Sequence, residues 1–330
     1  MADGGLTVLD GSQIRNSLTQ LCNPFDSPIS GFIFLEKATS QARTLLFGLS
    51  LPEHLTSIVG ERVGLHDPDF LSLQLDPDQA FLKLRDYLQI LADKLKDDPL
   101  VVSILDGGVL RLFLEDEDDF AMLAENIFTD LDLEDTGKLS KNEIQNALIQ
   151  MGVEMGVPPF SDRMETDALL TSILKKHGAE GTEELGQAQF AHLLQAVLQD
   201  LADSLSSKPI VVIQDIKVIN GSKLRKVLDD QKQLNEITES IFRDVTSKEN
   251  GPPSIEKIRG YLERKGSELG LPPLEANPAV VLLYGQVFSG LDKDKSAELE
   301  REEFEGIVKG IFKAFVEELQ ANPVFHDLES

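Results

Sequence analysis

Phe120, Leu123, Ile127, Phe128 and Leu131 fall at the 3-4-1-3 spacing of one helix face. Leu234, Ile237, Ile241, Phe242 and Val245 repeat that face 114 residues later, with the same internal spacing. Ile144, Leu148 and Met151 outline a further helix, and stretches carrying Asp, Gly and Pro separate such segments. Sustained alternation of apolar and polar residues, the mark of a half-buried strand, is scarce. The pattern predicts an all-α fold, with strand limited to very short pairs inside loops.

A short motif occurs three times. Val8-Leu9-Asp10-Gly11 is echoed by Ile104-Leu105-Asp106-Gly107 and by Val218-Ile219-Asn220-Gly221. After a small or polar pair, each continues with an apolar residue, an Arg, and a Leu three further on. Asp-Gly and Asn-Gly mark turns, and the apolar spacing after them starts a short helix. Beyond the motif, the second and third copies keep register without a gap. Gly156-Val157-Pro158-Pro159 matches Gly270-Leu271-Pro272-Pro273, Phe190 matches Phe304, and Pro209 matches Pro323. The first copy is looser: 96 residues lie between Gly11 and Gly107 against 114 between Gly107 and Gly221, which reads as a helix lost or shortened after Leu21. Such self-similarity predicts three homologous domains, at residues 1–102, 103–213 and 214–330.

Two loops in this frame carry acids at regular intervals. The first is Asp132-Leu133-Glu134-Asp135-Thr136-Gly137-Lys138-Leu139-Ser140-Lys141-Asn142-Glu143, between the Phe120–Leu131 face and Ile144. The second is Asp292-Lys293-Asp294-Lys295-Ser296-Ala297-Glu298-Leu299-Glu300-Arg301-Glu302-Glu303, followed by Phe304. Both resemble the calcium loop of the EF-hand family, whose helix–loop–helix units work in pairs. Calcium is a hard cation that takes about six to eight oxygen ligands. In the first loop the resemblance implies Asp132, Glu134, the Thr136 hydroxyl, the Lys138 carbonyl, Ser140 through a water, and Glu143 as the bidentate ligand. Gly137 would make the tight turn. In the second it implies Asp292, Asp294, Ser296, the Glu298 carbonyl, Glu300 and Glu303, with Ala297 where the family has Gly.

Equivalent loops elsewhere have lost this ligand set. Residues 178–189 begin with Gly178 and end with Gln189 but keep Leu185 at the position of the short strand. Residues 246–257 carry Lys248 and Lys257 in place of acids, and residues 68–79 and the segment around Ile29-Ser30-Gly31 are further eroded. The expected organisation is three tandem EF-hand-pair-like repeats with two calcium-competent loops and several degenerate ones.

Composition narrows the function. The 330 residues include 31 Lys and Arg against 57 Asp and Glu, a net charge of −26, and a field of that sign repels phosphate backbones, so no nucleic-acid partner is expected. The single cysteine, Cys22, cannot form an internal disulfide. No apolar run approaches about 18 residues, which argues against membrane insertion. The first residues lack the pattern of a signal peptide, so a cytoplasmic protein is expected, with the nucleus as a further location. No phosphate-cradling glycine loop, nucleophile elbow or zinc signature is present, and the five histidines have no metal-ligand or triad spacing with Cys22, so an enzyme is not expected. The acidic run Glu115–Asp119 suits a helix N-terminus. The Lys- and Arg-rich stretch at 208–226 reads as a strip held by the chain's own acids or as a docking strip for an acidic partner.

The overall layout and the Leu-Asp-Gly start are also similar to a plant EF-hand family in which one good hand accompanies degenerate ones. Its best-known type is a calcium sensor that binds and inhibits SNF1-related protein kinases in abscisic-acid signalling. That resemblance implies a regulated protein partner, an SNF1-related protein kinase. The loops themselves point to an intracellular calcium sensor acting on a protein partner. A calcium-independent structural adaptor and a calcium buffer are the alternatives.

Overall fold

The computed structural model describes residues 5–160, 164–246, 252–289, 291 and 300–328. Helix makes up 64% of it, with 14 helices among the described residues. Strand β1 (Leu6–Leu9) leads into α1 (Ser12–Leu18), β2 (Ile29–Ser30) runs directly into α2 (Gly31–Leu45), and α3 (Glu53–Val63), β3 (Gln74–Leu75) and the long α4 (Pro77–Asp97) follow. Next come β4 (Leu100–Leu105), α5 (Gly108–Glu115), α6 (Glu117–Leu131), β5 (Lys138–Ser140), α7 (Glu143–Met151), α8 (Met164–Lys176), β6 (Glu184–Gly186) and the long α9 (Gln187–Ser207). The last part comprises β7 (Ile210–Ile213), β8 (Ile216–Ile219), α10 (Ser222–Asp229), α11 (Gln231–Val245), α12 (Ile255–Lys265), α13 (Pro278–Ser289), the long α14 (Arg301–Ala321) and β9 (Val324–Asp327).

The expectation of an all-α chain is met only coarsely, because small antiparallel sheets accompany the helices. Two of them, β2–β3 and β5–β6, are the short loop pairs expected. The other two lie outside the helix-flanked loops: a three-stranded sheet in the order β1-β4-β7 and a ribbon of β8 with β9. The strands of the larger sheet escape an alternation test for a physical reason. Leu100-Val101-Val102-Ser103-Ile104-Leu105 and Ile210-Val211-Val212-Ile213 are nearly unbroken β-branched and apolar runs, which periodicity alone cannot assign.

The chain divides into two compact units. One comprises Met1–Val8, Gln20–Tyr87 and Val102–Gln214, and the other Leu9–Thr19, Leu88–Val101 and Asp215–Ser330. In the first, Phe128 of α6 meets Phe190 of α9 edge-to-face at 5.5 Å. In the second, Phe242 of α11 meets Phe304 of α14 in the same manner at 5.1 Å. These are equivalent positions of the 114-residue offset. Such a pair contributes about 0.5–1.5 kcal/mol beyond the area it buries. Around the first lie Ile144, Leu148, Leu194 and Leu198, and around the second Ile258, Leu262, Val308 and Phe312, all buried.

The thrice-repeated motif has a structural explanation. Gly107 stands at the N-cap of α5 with φ 79°, a left-handed conformation, and the Asp106 carboxylate accepts the N–H of Gly108 at 2.9 Å. A Cβ built on Gly107 would lie 2.3 Å from the carbonyl oxygen of Ala202 on α9. The short helix therefore leans backbone-first on the long one. Gly11 meets Ala92 of α4 at the same 2.3 Å, and Gly221 meets Val316 of α14 at 3.2 Å. Ala202 and Val316 are again 114 residues apart. Two of the motif's arginines finish the join: Arg15 donates to the Ala92 carbonyl at 3.0 Å, and Arg111 pairs with Asp203 at 3.1 Å.

Gly107→Ala should accordingly cost about 3 kcal/mol or more, combining the left-handed penalty with overpacking. Gly137→Ala, at φ 68° but with open space around the added carbon, should cost only about 1–2 kcal/mol. Urea denaturation of both variants decides the matter, and equal losses would refute the close-approach explanation.

Candidate metal centre

Helix α6 begins on the acidic run. The Asp116 carboxylate accepts the N–H groups of Asp118 and Asp119 at 3.1 and 3.0 Å, and Glu117, Asp118 and Asp119 fill the first turn. The run thus caps a helix and complements its dipole. Fifteen residues later α6 ends at Leu131 and the first candidate loop starts.

Asp132 organises this loop. Its Oδ1 accepts the Thr136 N–H at 2.9 Å and lies 3.0 Å from the Thr136 hydroxyl, while Oδ2 accepts the Gly137 N–H at 2.7 Å. The Thr136 N–H, helped by the Gly137 N–H and the Thr136 hydroxyl, holds the Asp132 carboxyl below its ordinary value against a smaller opposing effect of desolvation. Asp135 and Gly137 take positive φ, 52° and 68°, so the chain turns tightly around the carboxylate. The Thr136 hydroxyl oxygen is also 3.0 Å from the Lys138 carbonyl oxygen. The Thr136 hydroxyl thus lies within hydrogen-bond distance of both the Asp132 carboxylate and the Lys138 carbonyl.

The remaining candidates of this loop are placed differently. Glu134 lies in the exposed turn, and Ser140 lies in β5 opposite Glu184. Glu143 opens α7, and its Oε2 accepts the Asn146 amide at 2.7 Å along its own helix rather than entering the loop. Among the described residues no three acidic, His or Cys side chains are brought together to hold a metal ion. What is present is a loop whose Asp132, Thr136 and Lys138 oxygens hydrogen-bond to one another and to the loop backbone, with Glu143 bonded along α7.

A second loop, residues 178–189, is tied to the first. Strands β5 and β6 pair with Leu139 opposite Leu185, both buried. The Lys141 N–H donates to the Glu183 carbonyl at 3.0 Å, and the Asn142 side-chain oxygen accepts the Gly181 N–H at 2.7 Å. Across the ladder, Lys138 pairs with Glu184 at 2.8 Å and Lys141 with Glu183 at 2.5 Å. Gln189, at the end of the companion loop, accepts the Gly186 N–H at 3.1 Å and so serves the start of α9. The Asn142–Gly181 link was invisible in the sequence, because loop position 11 carries no ligand signal.

For the second candidate loop, Asp292, Asp294, Ser296 and Glu298 lie outside the described residues. Glu300 and Glu303 stand at the start of α14, where the Glu303 carboxylate accepts the Glu300 N–H at 3.4 Å. In the 246–257 segment Lys257 donates to the Pro252 carbonyl. Residues 29–30 and 74–75, in the most eroded loops, still pair as β2 and β3, with Ile29 opposite Leu75.

Two charged features resolve without a ligand. Three cations of the basic stretch are held by the chain itself: Lys226 pairs with Asp97 at 2.7 Å, Arg225 lies 3.8 Å from the same carboxylate, and Lys223 donates to the Glu268 carbonyl. Asp200, on α9, takes Lys176 at 2.8 Å and His177 at 3.1 Å from the end of α8. The Lys176 hydrogen bond leads in holding Asp200 below the ordinary carboxylate value of 3.8. A carboxyl lowered on folding stabilises the fold fully above 3.8 and loses that contribution as pH falls through the lowered folded value. Asp200→Asn should therefore cost about 1 kcal/mol at neutral pH and nothing once the carboxyl is protonated. Thermal melts of both proteins across the acid range provide the check, and a gap persisting below pH 2 would contradict it.

No protein-family model, curated protein or solved structure matches this chain.

Proposed function

We propose that the chain is a calcium sensor built from three tandem EF-hand-pair-like repeats, which regulates a protein partner. Asp132, Glu134, Thr136, the Lys138 carbonyl, Ser140 and Glu143 form one site, and Asp292, Asp294, Ser296, the Glu298 carbonyl, Glu300 and Glu303 the other. The observation that carries this reading is the gathering of the Asp132, Thr136 and Lys138 oxygens at 3.0 Å separations at the end of a helix, in a loop paired with a second through Leu139 and Leu185. When bound, Ca²⁺ supplies a hard charge that accepts about six to eight oxygens.

The chain's own contribution rests on Glu143. Its carboxylate has to leave Asn146 and turn toward Asp132 to complete the set. Giving up an exposed side-chain hydrogen bond costs about 0.5–1.5 kcal/mol, small beside the roughly 8 kcal/mol of micromolar binding. Because α7 starts at Glu143, a moving carboxylate takes the helix with it. Ile144, Ala147, Leu148 and Met151 are its buried face, so a swing of α7 uncovers apolar surface that a partner can cover, as in sensor hands. The partner's identity as an SNF1-related protein kinase rests on the family resemblance alone.

One observation favours a second reading, a calcium-independent adaptor. Glu143 is already satisfied by Asn146, and Lys138 and Lys141 already bind the companion loop, so the loop pair holds together through its own contacts.

Calorimetric titration of the intact protein separates the readings. The sensor requires sites of about 10⁻⁷–10⁻⁵ M, one abolished by Glu143→Gln and one by Glu303→Gln, with weak cooperativity and rising fluorescence of an apolar dye. Asn146→Ala frees Glu143 and should tighten the first site by about 2–10-fold. Binding without dye response indicates a buffer. Absence of heat below millimolar Ca²⁺ leaves the adaptor.

A further inference from the structure

The 114-residue offset sets α5 and α6 against their equivalents α10 and α11. Helices α5 and α10 are each 8 residues long, and α6 and α11 each 15. Where α10 and α11 carry Lys223, Lys226 and Glu236, α5 and α6 carry Val109, Leu112 and Met122. These three are exposed, at 39%, 65% and 63%. The third repeat builds the same two helices with charged side chains at these positions, so the fold does not require apolar ones there. Val109 and Leu112 lie three apart and share a face of α5.

The neighbouring acids show the same excess. Asp116 caps α6 and Asp230 caps α11 in the same manner, each accepting two N–H groups of the first turn. One acid does the capping. Glu117, Asp118 and Asp119 nevertheless follow Asp116, where Gln231, Lys232 and Gln233 follow Asp230. Residues 115–119 carry a charge of −5, against −1 for residues 229–233. By helical spacing Leu112 shares a face with Glu115, and Met122 with Asp118 and Asp119. The second repeat presents exposed apolar residues with an acidic border.

The third repeat shows what the equivalent face holds. Ser222 is buried, and its hydroxyl donates at 2.5 Å to the Asp97 carbonyl at the end of α4, while the Asn220 amide donates to the Lys96 carbonyl at 3.1 Å. Lys226 pairs with the Asp97 carboxylate. A face bearing cations thus holds a helix end through an acid. Gly108, the equivalent of Ser222, is exposed.

We propose that the α5–α6 turn receives a basic amphipathic helix of a partner protein, the converse in charge of the α4–α10 contact. Its apolar stripe covers Val109, Leu112 and Met122, and its Lys and Arg side chains meet the acids of residues 115–119. The inference does not rest on calcium binding, and the surface shares no residue with the candidate loops.

Fluorescence anisotropy of the full-length protein, with and without Ca²⁺, tests it with a labelled peptide of about 18 residues, five helical turns, bearing Leu on one face and Lys on the other. This peptide should bind about tenfold or more tightly than its scrambled isomer, with slowed amide exchange at residues 108–126. Replacements taken from the third repeat remove each half of the surface: Val109→Lys/Leu112→Lys/Met122→Glu, and Glu117→Gln/Asp118→Lys/Asp119→Gln. Both sets change exposed positions only and should keep the native circular dichroism, and each should weaken binding about tenfold or more. Leu282→Ala, at a residue of α13 exposed to 73%, should leave it unchanged. Equal binding of the scrambled peptide overturns the proposal, as do binding that survives either replacement set, protection that maps elsewhere, or no binding at about 100 µM peptide. Dimers of the peptide-free protein that dissociate in either variant would assign the face to a second copy of the chain, and would also overturn it.

Discussion

Gly107 and Ala202 touch where no side chain fits, and the architecture of the first unit follows from that contact. A strand that ends in Asp-Gly turns through a left-handed residue and starts a short helix whose backbone lies on the long α9. The approach fixes two things at once. It sets β4 at one end of α9 and α6 along its side, because α5 and α6 follow each other directly. The Phe128–Phe190 pair then closes α6 onto α9, and the loop at the end of α6 is carried to the strand that begins α9. A candidate ligand loop and its companion are thus positioned by a contact at the opposite end of the same long helix. In the second unit, Gly221 on Val316 and Phe242 on Phe304 stand in the same relation. The gentler 3.2 Å approach there agrees with the larger side chain at Val316.

Much of this was legible before any coordinates. The helix faces, the register of the 114-residue offset and the pairing of Leu139 with Leu185 all rest on spacing, and spacing is what a sequence records best. The sheets outside the loops were not legible, because β4 and β7 are apolar on both sides and show no alternation. The candidate ligand positions are legible by residue type and chain position, but the arrangement of their side chains is not. Whether Glu143 turns to the loop or along its own helix to Asn146 depends on side-chain direction and helix placement, which no spacing records.

The companion loop explains a tension within the candidate site. A cation site gains nothing from nearby ammonium groups, yet Lys138 contributes a carbonyl to the gathered oxygens and Lys141 stands three residues on. Both ammonium groups are drawn across the ladder, to Glu184 and Glu183. For Lys138 the result is an ammonium stabilised by the Glu184 hydrogen bond and charge, with its proton held more firmly than usual. The loop at residues 178–189 carries acids where its neighbour has cations.

That division of labour bears on how erosion of a loop is tolerated. The terminal positions of residues 178–189 serve local structure: Gly178 takes φ 61° and Gln189 receives an N–H at the start of α9. The middle positions serve the pair, through Leu185 in the core and Glu183 and Glu184 on the surface. A change at the ends affects one loop alone, whereas loss of Leu185 or the two acids unsettles both. An exposed salt bridge contributes about 0–1 kcal/mol, so the buried Leu139–Leu185 pair carries the mechanical load. The loop at residues 178–189 is in this arrangement a structural and electrostatic partner of residues 132–143.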